Sequence, residues 1–209
     1  MSDPAPSSLR VGFVPGVTLT KWRRIWDERY RQSLDVSPVA EDDQRRALVE
    51  GALDMCFVRL PVERDGLHII PLYEEQPVLW LSKDHLLAAL DEVEASDLEG
   101  QNVLTTADPD SIELASYSAA VLRVPLSIAR TGSRKDFIHL PVTDAPTTTI
   151  GLAWRIDNEH PLIEEFIGVV RGRTVNSTRG GAPTKPVKAP RPAERGAASK
   201  RRTRGRRQR

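Results

Sequence analysis

Strand-forming runs alternate with helical segments at the start of the chain, and this order limits the possible folds more than any other feature. Residues 9–14 contain three strand formers and end at Pro15-Gly16, and a segment with apolar residues at helical spacing follows. Two more strands, predicted at residues 34–39 and 53–58, flank a helix over residues 41–50. A βαβαβ order predicts a parallel sheet with helices on its faces.

The next hundred residues continue in the same manner. A last helix begins at Pro161 and has a single apolar face. Residues 101–118 show no readable period. The whole pattern predicts an α/β domain. Its further strands are predicted at residues 67–72, 78–82, 119–126, 137–143 and 148–156, and its further helices at residues 84–90 and 91–98.

The charges divide the chain in two. Residues 171–209 carry 14 Lys or Arg against one acidic residue, a net charge of +13, whereas the preceding 170 residues carry a net charge of −12. The C-terminal part has no hydrophobic period, so it cannot bury enough apolar surface to offset the entropy cost of ordering. We predict a disordered basic tail over residues 172–209 and a disordered N-terminal segment over residues 1–8.

Composition and motifs argue against several classes of protein. The sequence has neither a run of eighteen apolar residues nor a secretory signal, so we expect a cytoplasmic protein without a membrane span. Cys56 is the only cysteine and the four histidines are scattered, so neither an internal disulfide nor a metal site is predicted. The sequence contains no nucleophile elbow, phosphate loop or dinucleotide-binding turn. We therefore expect neither an enzyme nor a cofactor.

Five segments, taken in order, carry a family resemblance. They are LRVGFVPG at residues 9–16, LVEGALDMCFVRLP at 48–61, IPLYEE at 70–75, LWLSKDHLLA at 79–88 and IGLAWR at 150–155. Together they resemble the effector (substrate-binding) domain of LysR-type transcriptional regulators. The resemblance implies a type 2 periplasmic-binding-protein-like fold, with two Rossmann-like lobes around a cleft. It also implies small-molecule sensing and side-by-side dimerisation, either as a homodimer or as a heterodimer with LysR-type regulators.

The resemblance divides residues 9–171 into two lobes. The first lobe is expected at about residues 9–82 and 148–171, and the second at about residues 104–143. The family's helix-turn-helix is not found ahead of Leu9, so sequence-specific DNA reading is not expected. Residues 100–127 are much shorter than the family's usual segment, which predicts a second lobe that lacks a strand and a helix. The family's glycine-rich turn is replaced there by residues 114–120, so the local backbone is expected to differ.

Five residues are candidates for contacting an effector, which we expect to be a small carboxylate. In open α/β sheets, ligands bind beyond the carboxyl ends of strands, where helix N-termini attract anions. Thr18 and Thr20 follow the first strand and could donate their hydroxyls, with helix capping as the alternative. Arg59 follows the third strand and could hold a carboxylate through two hydrogen bonds, with an exposed loop arginine as the alternative. Thr105 and Thr106 are placed where the chain crosses between lobes, with an ordinary loop role as the alternative.

The basic tail supports a second hypothesis. A flexible segment of charge +13 is attracted to polyanions, because each neutralised phosphate releases condensed counterions. The alternative is a tail that folds back on the acidic domain or only increases solubility. The candidate nucleic-acid contacts are Lys200, Arg201, Arg202, Arg204, Arg206, Arg207 and Arg209.

Two functions therefore stay open. The first is a small-molecule-sensing effector domain in transcription regulation. The second is a nucleic-acid-associated or partner-binding protein whose α/β domain is only a scaffold. A transport solute-binding protein is disfavoured, because no export signal is found.

Overall fold

The computed structural model describes residues 8–172, and these residues form nine strands and five α-helices. The strands are β1 (Ser8–Phe13), β2 (Ser33–Pro38), β3 (Met55–Leu60), β4 (Leu67–Glu75), β5 (Pro77–Ser82), β6 (Val103–Leu104), β7 (Val121–Pro125), β8 (Phe137–Pro141) and β9 (Thr148–Arg155). The helices are α1 (Thr20–Arg29), α2 (Gln44–Val49), α3 (Pro109–Ser116), α4 (Leu126–Thr131) and α5 (Ile163–Val170).

The predicted disordered segments lie almost wholly outside the described residues. Ser8 is an exception, because it lies in β1 and pairs with Ser33 of β2. Gly172 is the other exception and lies in a turn after α5. The seven basic residues predicted to contact nucleic acid, Lys200 to Arg209, are outside the described part.

The first sheet has the strand order β2-β1-β3-β9-β4. β1 pairs in parallel with both β2 and β3, as the βαβαβ pattern predicts, and β9 returns antiparallel between β3 and β4. Helices α1 and α5 cover one face of this sheet, and α2 covers the other. The sheet is therefore buried on both sides, which explains why β3 is apolar nearly throughout.

Aromatic side chains fill the core between α1, α5 and the first sheet. Phe166 of α5 is fully buried and lies edge-on to Trp26 of α1 and Phe57 of β3, with ring centroids 5.7 and 6.1 Å away. Trp22 stacks on Phe57 at 4.7 Å. The helical spacing of apolar residues in both helices thus produces one shared core.

The second sheet has the strand order β6-β7-β5-β8. Its parallel pair β6 and β7 corresponds to β1 and β3 of the first sheet, and the helix ahead of β7, α3, corresponds to α2. In the described residues, no strand and helix of this sheet correspond to β2 and α1. The predicted shortening of the second lobe is confirmed.

Three local predictions were wrong. The first lobe was expected to extend to residue 82, but β5 pairs with β7 and β8 and belongs to the second sheet, because sheet membership is not encoded in a strand's own sequence. The helices expected at residues 84–90 and 91–98 are two short 3₁₀ turns, Leu86–Ala89 and Ala95–Leu98. Helices α3 and α4 were not predicted, since six to eight residues show too little of the helical period.

The chain crosses between the two sheets twice. The first crossing is Gln76, between β4 and β5, and the second is the segment 142–147, between β8 and β9. The backbone N–H of Leu126 donates to the carbonyl of Gln76, and that of Val142 donates to the carbonyl of Pro77. These bonds fix both crossings against the second lobe. Within residues 8–172, no helix combines the length and the apolar character that crossing a bilayer requires.

Candidate functional site

The two lobes meet where strands of both sheets end. Glu75, the last residue of β4, accepts a hydrogen bond from the hydroxyl of Ser127 in α4. Gly16, after β1, approaches the same serine so closely that a Cβ atom at Gly16 would lie 2.4 Å from the Ser127 hydroxyl oxygen. Gly16 also has a φ of +90°, which other residues adopt only with strain. A glycine here allows the lobes to touch.

Arg59 lies at the centre of this contact. Its Nε donates to Glu75 at 2.8 Å, one terminal nitrogen donates to Glu41 at 2.7 Å, and the other donates to the carbonyl of Pro15 at 2.8 Å. The side chains of Arg59 and Glu75 are each only 3% exposed. We call Arg59, Glu75, Glu41 and Ser127 the interlobe network. It places a buried ion pair and a hydroxyl where the lobes meet.

Burial alone would lower the pKa of the Arg59 guanidinium, because it disfavours the charged form. Hydrogen bonds to Glu75 and Glu41 outweigh that effect and raise the pKa above its ordinary value. The alternative interpretation, an exposed loop arginine, is wrong. All three sides of the guanidinium have partners within the chain, so a carboxylate ligand would have to displace one of them.

Thr18 and Thr20 lie elsewhere. Both line an open groove of about 660 Å³ along α1, with apolar residues of the first sheet at its base and charges of both signs on its rim. Neither hydroxyl caps the helix, because Leu19 occupies the N-cap position and has no side-chain capping bond. The capping alternative is therefore wrong. The groove does not include Arg59.

Thr105 and Thr106 were placed at a crossing between lobes, and this placement is wrong. Both follow β6 inside the second lobe, because the crossings lie at Gln76 and at residues 142–147. The Thr106 hydroxyl donates to Asp108 at 2.7 Å, and Asp108 caps α3 through the Ser111 backbone N–H. These hydrogen bonds hold the pKa of Asp108 well below its usual range. Thr106 therefore has a structural partner, whereas Thr105 faces a pocket.

That pocket lies beside the second crossing and Pro77, the first residue of β5, and has a volume of about 260 Å³. We call it the crossover pocket and define it by Pro77, Thr105, Arg123, Pro146 and Thr148, together with the residues beside them. Sequence reasoning found Thr105 but missed Arg123 and Thr148. Arg123 interrupts an apolar strand, and that interruption was the available signal.

Neither the cysteine nor the histidine side chains of the described residues form a second candidate site. Cys56 is fully buried, and burial raises the pKa of its thiol to about 12. His85 accepts a hydrogen bond from the Leu87 backbone N–H and caps the 3₁₀ turn Leu86–Ala89. In the described part of the chain, no three His, Cys, Asp or Glu residues are grouped to hold a metal ion.

Comparison with known proteins identifies the family. The LysR substrate binding domain family matches residues 3–123, more than half of the chain. The chain belongs to this family. One relative, named "Probable hydrogen peroxide-inducible genes activator" from Mycobacterium xenopi, is 37% identical over 94 residues, which are 42% of this chain. Because the match covers 48% of that relative, this LysR-family chain spans about half of the relative's length.

Two solved structures share the fold. The reduced OxyR regulatory domain from Pseudomonas aeruginosa has a TM-score of 0.64 at 18% identity, covering 80% of this chain and 96% of that one. The BenM effector binding domain with its effector benzoate has a TM-score of 0.67 at 17% identity, covering 81% of this chain and 92% of that one. The two-lobed architecture predicted from the resemblance is confirmed.

Proposed function

We propose that this chain is the effector-sensing part of a LysR-type transcriptional regulator and that it responds to a small molecule held between its lobes. The observation that carries the proposal is the crossover pocket, which is lined by residues of the second crossing and of both sheets, including Pro77 directly after the first crossing. A ligand there touches the segments that set the orientation of the lobes. It can therefore favour one orientation, provided that it binds that orientation more tightly.

Several family properties support the same function. The Mycobacterium xenopi relative is a genes activator by name, and the BenM domain was solved with its effector benzoate. The partly buried hydrogen bond between Glu75 and Ser127 links the two lobes, so a change in the orientation of one lobe affects its contact with the other.

A peroxide response through thiol chemistry is a poorer candidate for this chain. The reactive form of cysteine is the thiolate, and oxidation follows its exposure. Cys56 is buried, its pKa is raised to about 12, and the sequence has no second cysteine to form a disulfide with it. We therefore propose a non-covalent ligand rather than an oxidant.

Thermal unfolding of the full chain tests the sensing proposal. A library of neutral, cationic and anionic metabolites is screened, and at least one compound should raise the melting temperature. A ligand at about a hundred times its Kd should stabilise the folded state by about 2.7 kcal/mol. Cooperative unfolding whose midpoint is unchanged by every compound would contradict the proposal.

We also propose that the groove along α1 accepts a protein partner, either a second copy of this chain or a LysR-type regulator. Its apolar base and mixed-charge rim resemble a protein interface more than a closed ligand pocket.

The basic tail is a further candidate for contacting nucleic acid without sequence preference. The net charge of +13 on residues 171–209 supports it, and the charge of −12 on the preceding 170 residues favours the competing interpretation of a tail attracted to the acidic domain. We expect the full chain to be retained on duplex DNA at low salt and a chain ended at residue 172 to be released. Equal retention of both would remove the tail from the function.

A further inference from the structure

One edge of the second sheet is β6, a strand with a neighbour on one side only. In the first sheet, β2 pairs with β1 along the whole of β1, on the side away from β3. β6 corresponds to β1, but in the described residues it pairs only with β7. An edge strand of this kind presents N–H and C=O groups without partners, and another chain can pair with them. The shortening of the second lobe therefore leaves a free sheet edge at β6.

The hydrogen bonds between β6 and β7 identify the free backbone groups. The N–H of Val121 donates to the carbonyl of Asn102 at 2.9 Å, and Val103 lies opposite Val121 in the parallel register. Successive residues of a strand direct their N–H and C=O groups to opposite sides. Because Asn102 directs its carbonyl toward β7, Val103 directs both of its groups to the free edge. Asn102 and Thr105 are exposed on either side of β6, so the edge is open to solvent.

The surface around this edge is acidic. Residues 84–122 contain nine Asp or Glu and no Lys or Arg, and all nine are exposed. None of the nine forms an ion pair within residues 8–172. Opposite charges favour association, so this surface is complementary to a basic polypeptide. The nine residues are Asp84, Asp91, Glu92, Glu94, Asp97, Glu99, Asp108, Asp110 and Glu113.

The basic part of this chain is a poor source of an added strand. Residues 183–192 contain four prolines. Proline has no N–H to donate to a neighbouring strand, which restricts it to edges and bulges of sheets. A segment with lysine or arginine beside β-branched residues fits the edge better, because β-branched side chains pack well on a pleated sheet. These requirements favour a segment of another protein.

We infer that the free edge of β6 binds an extended, basic segment of a partner protein, which pairs with β6 as an added strand. The backbone groups of Val103 supply main-chain hydrogen bonds, and the acidic residues around the edge attract lysine or arginine side chains of the segment. This interaction does not depend on the small molecule that the crossover pocket is proposed to hold.

Fluorescence polarisation tests the inference with the full chain and a labelled peptide of about eight alternating lysines and valines. The peptide should bind at low salt. A second peptide of the same sequence carries N-methyl groups on two adjacent central residues, so that it keeps its charge but cannot pair fully along either of its edges. It should bind at least about tenfold more weakly, because main-chain hydrogen bonds are lost.

Val103→Pro tests the edge itself. Proline is tolerated on an edge strand where the N–H would face solvent, and the N–H of Val103 is directed away from β7. The variant should stay folded by circular dichroism and should bind the lysine–valine peptide at least about tenfold more weakly. Should the variant fail to fold, the comparison of the two peptides decides between an added strand and charge attraction alone.

The charges are tested by combining Glu99→Gln with Asp110→Asn. This double variant should weaken peptide binding by about threefold or more, because it neutralises two exposed carboxylates of the acidic surface. The control combines Asp42→Asn with Glu50→Gln, which removes the same charge from exposed positions of the first lobe. Peptide binding to the control should be nearly unchanged.

Three results would overturn the inference. One is equal binding of the two peptides, which would show that charge attraction alone holds the peptide. Another is unchanged binding to a folded Val103→Pro variant, and the third is the absence of peptide binding at low salt. Each of them would leave the proposed sensing function standing, since none involves the crossover pocket.

Discussion

Replacing Glu75 with alanine is expected to lower the free energy of unfolding by about 3–5 kcal/mol. The substitution leaves the Arg59 guanidinium buried at 3% exposure without its buried carboxylate partner. It also removes the acceptor of the Ser127 hydroxyl, which joins the two lobes. Urea unfolding of the full chain, followed by circular dichroism, measures the change from the shift of the midpoint.

The control for Glu75→Ala is Glu41→Ala, because Glu41 is the second carboxylate that accepts a hydrogen bond from the Arg59 guanidinium. A carboxylate oxygen of Glu41 lies 2.7 Å from a terminal nitrogen of Arg59, and a carboxylate oxygen of Glu75 lies 2.8 Å from Nε. The two ion pairs are therefore similarly close, but the Glu41 side chain is 48% exposed. Exposed ion pairs contribute about 0–1 kcal/mol, so Glu41→Ala should have a small effect. Equal losses from the two variants would contradict the idea that burial makes the Glu75 pair important.

Replacing Phe166 with alanine is expected to cost about 3–5 kcal/mol of unfolding free energy. Phe166 is fully buried where α5 packs against α1 and the first sheet, and it contacts both Trp26 and Phe57. Alanine leaves a cavity between elements that are distant in sequence, and this part of the fold can collapse only partly. The shift of the urea midpoint again gives the change.

Tyr117 supplies the matched control for Phe166. It is an aromatic side chain of similar size that is 75% exposed, at the end of α3. Tyr117→Ala should change the free energy of unfolding by no more than about 0.5 kcal/mol. If both variants lost the same stability, α5 would not be anchored by its buried aromatic residue.

Every strand except β6 could be predicted, as could the two amphipathic helices, because their signals are local. The helical spacing around Trp26 and Phe166 and the strand formers of β1 and β3 each occupy one continuous segment. The short helices α3 and α4 could not be predicted in the same way, because their packing against the second sheet contributes more than their own sequence.

The candidate site was harder to predict because its contacts are non-local. Arg59 and Glu75 lie on β3 and β4, two strands that are separated by β9, a strand much later in the sequence. No local pattern shows that β9 brings them together, so Arg59 was predicted as a ligand contact. Thr105 was found through its position near a strand end, whereas its pocket partners Arg123 and Thr148 come from other segments.

Hydrogen–deuterium exchange of the full chain tests most directly whether a small molecule binds between the lobes. Exchange is compared with and without a compound that raises the melting temperature. Protection is expected in the segments around the crossover pocket, residues 103–107, 121–125 and 143–149, because ligand binding there slows local opening. Protection confined to the groove along α1, where Thr18 and Thr20 lie, would contradict a site between the lobes.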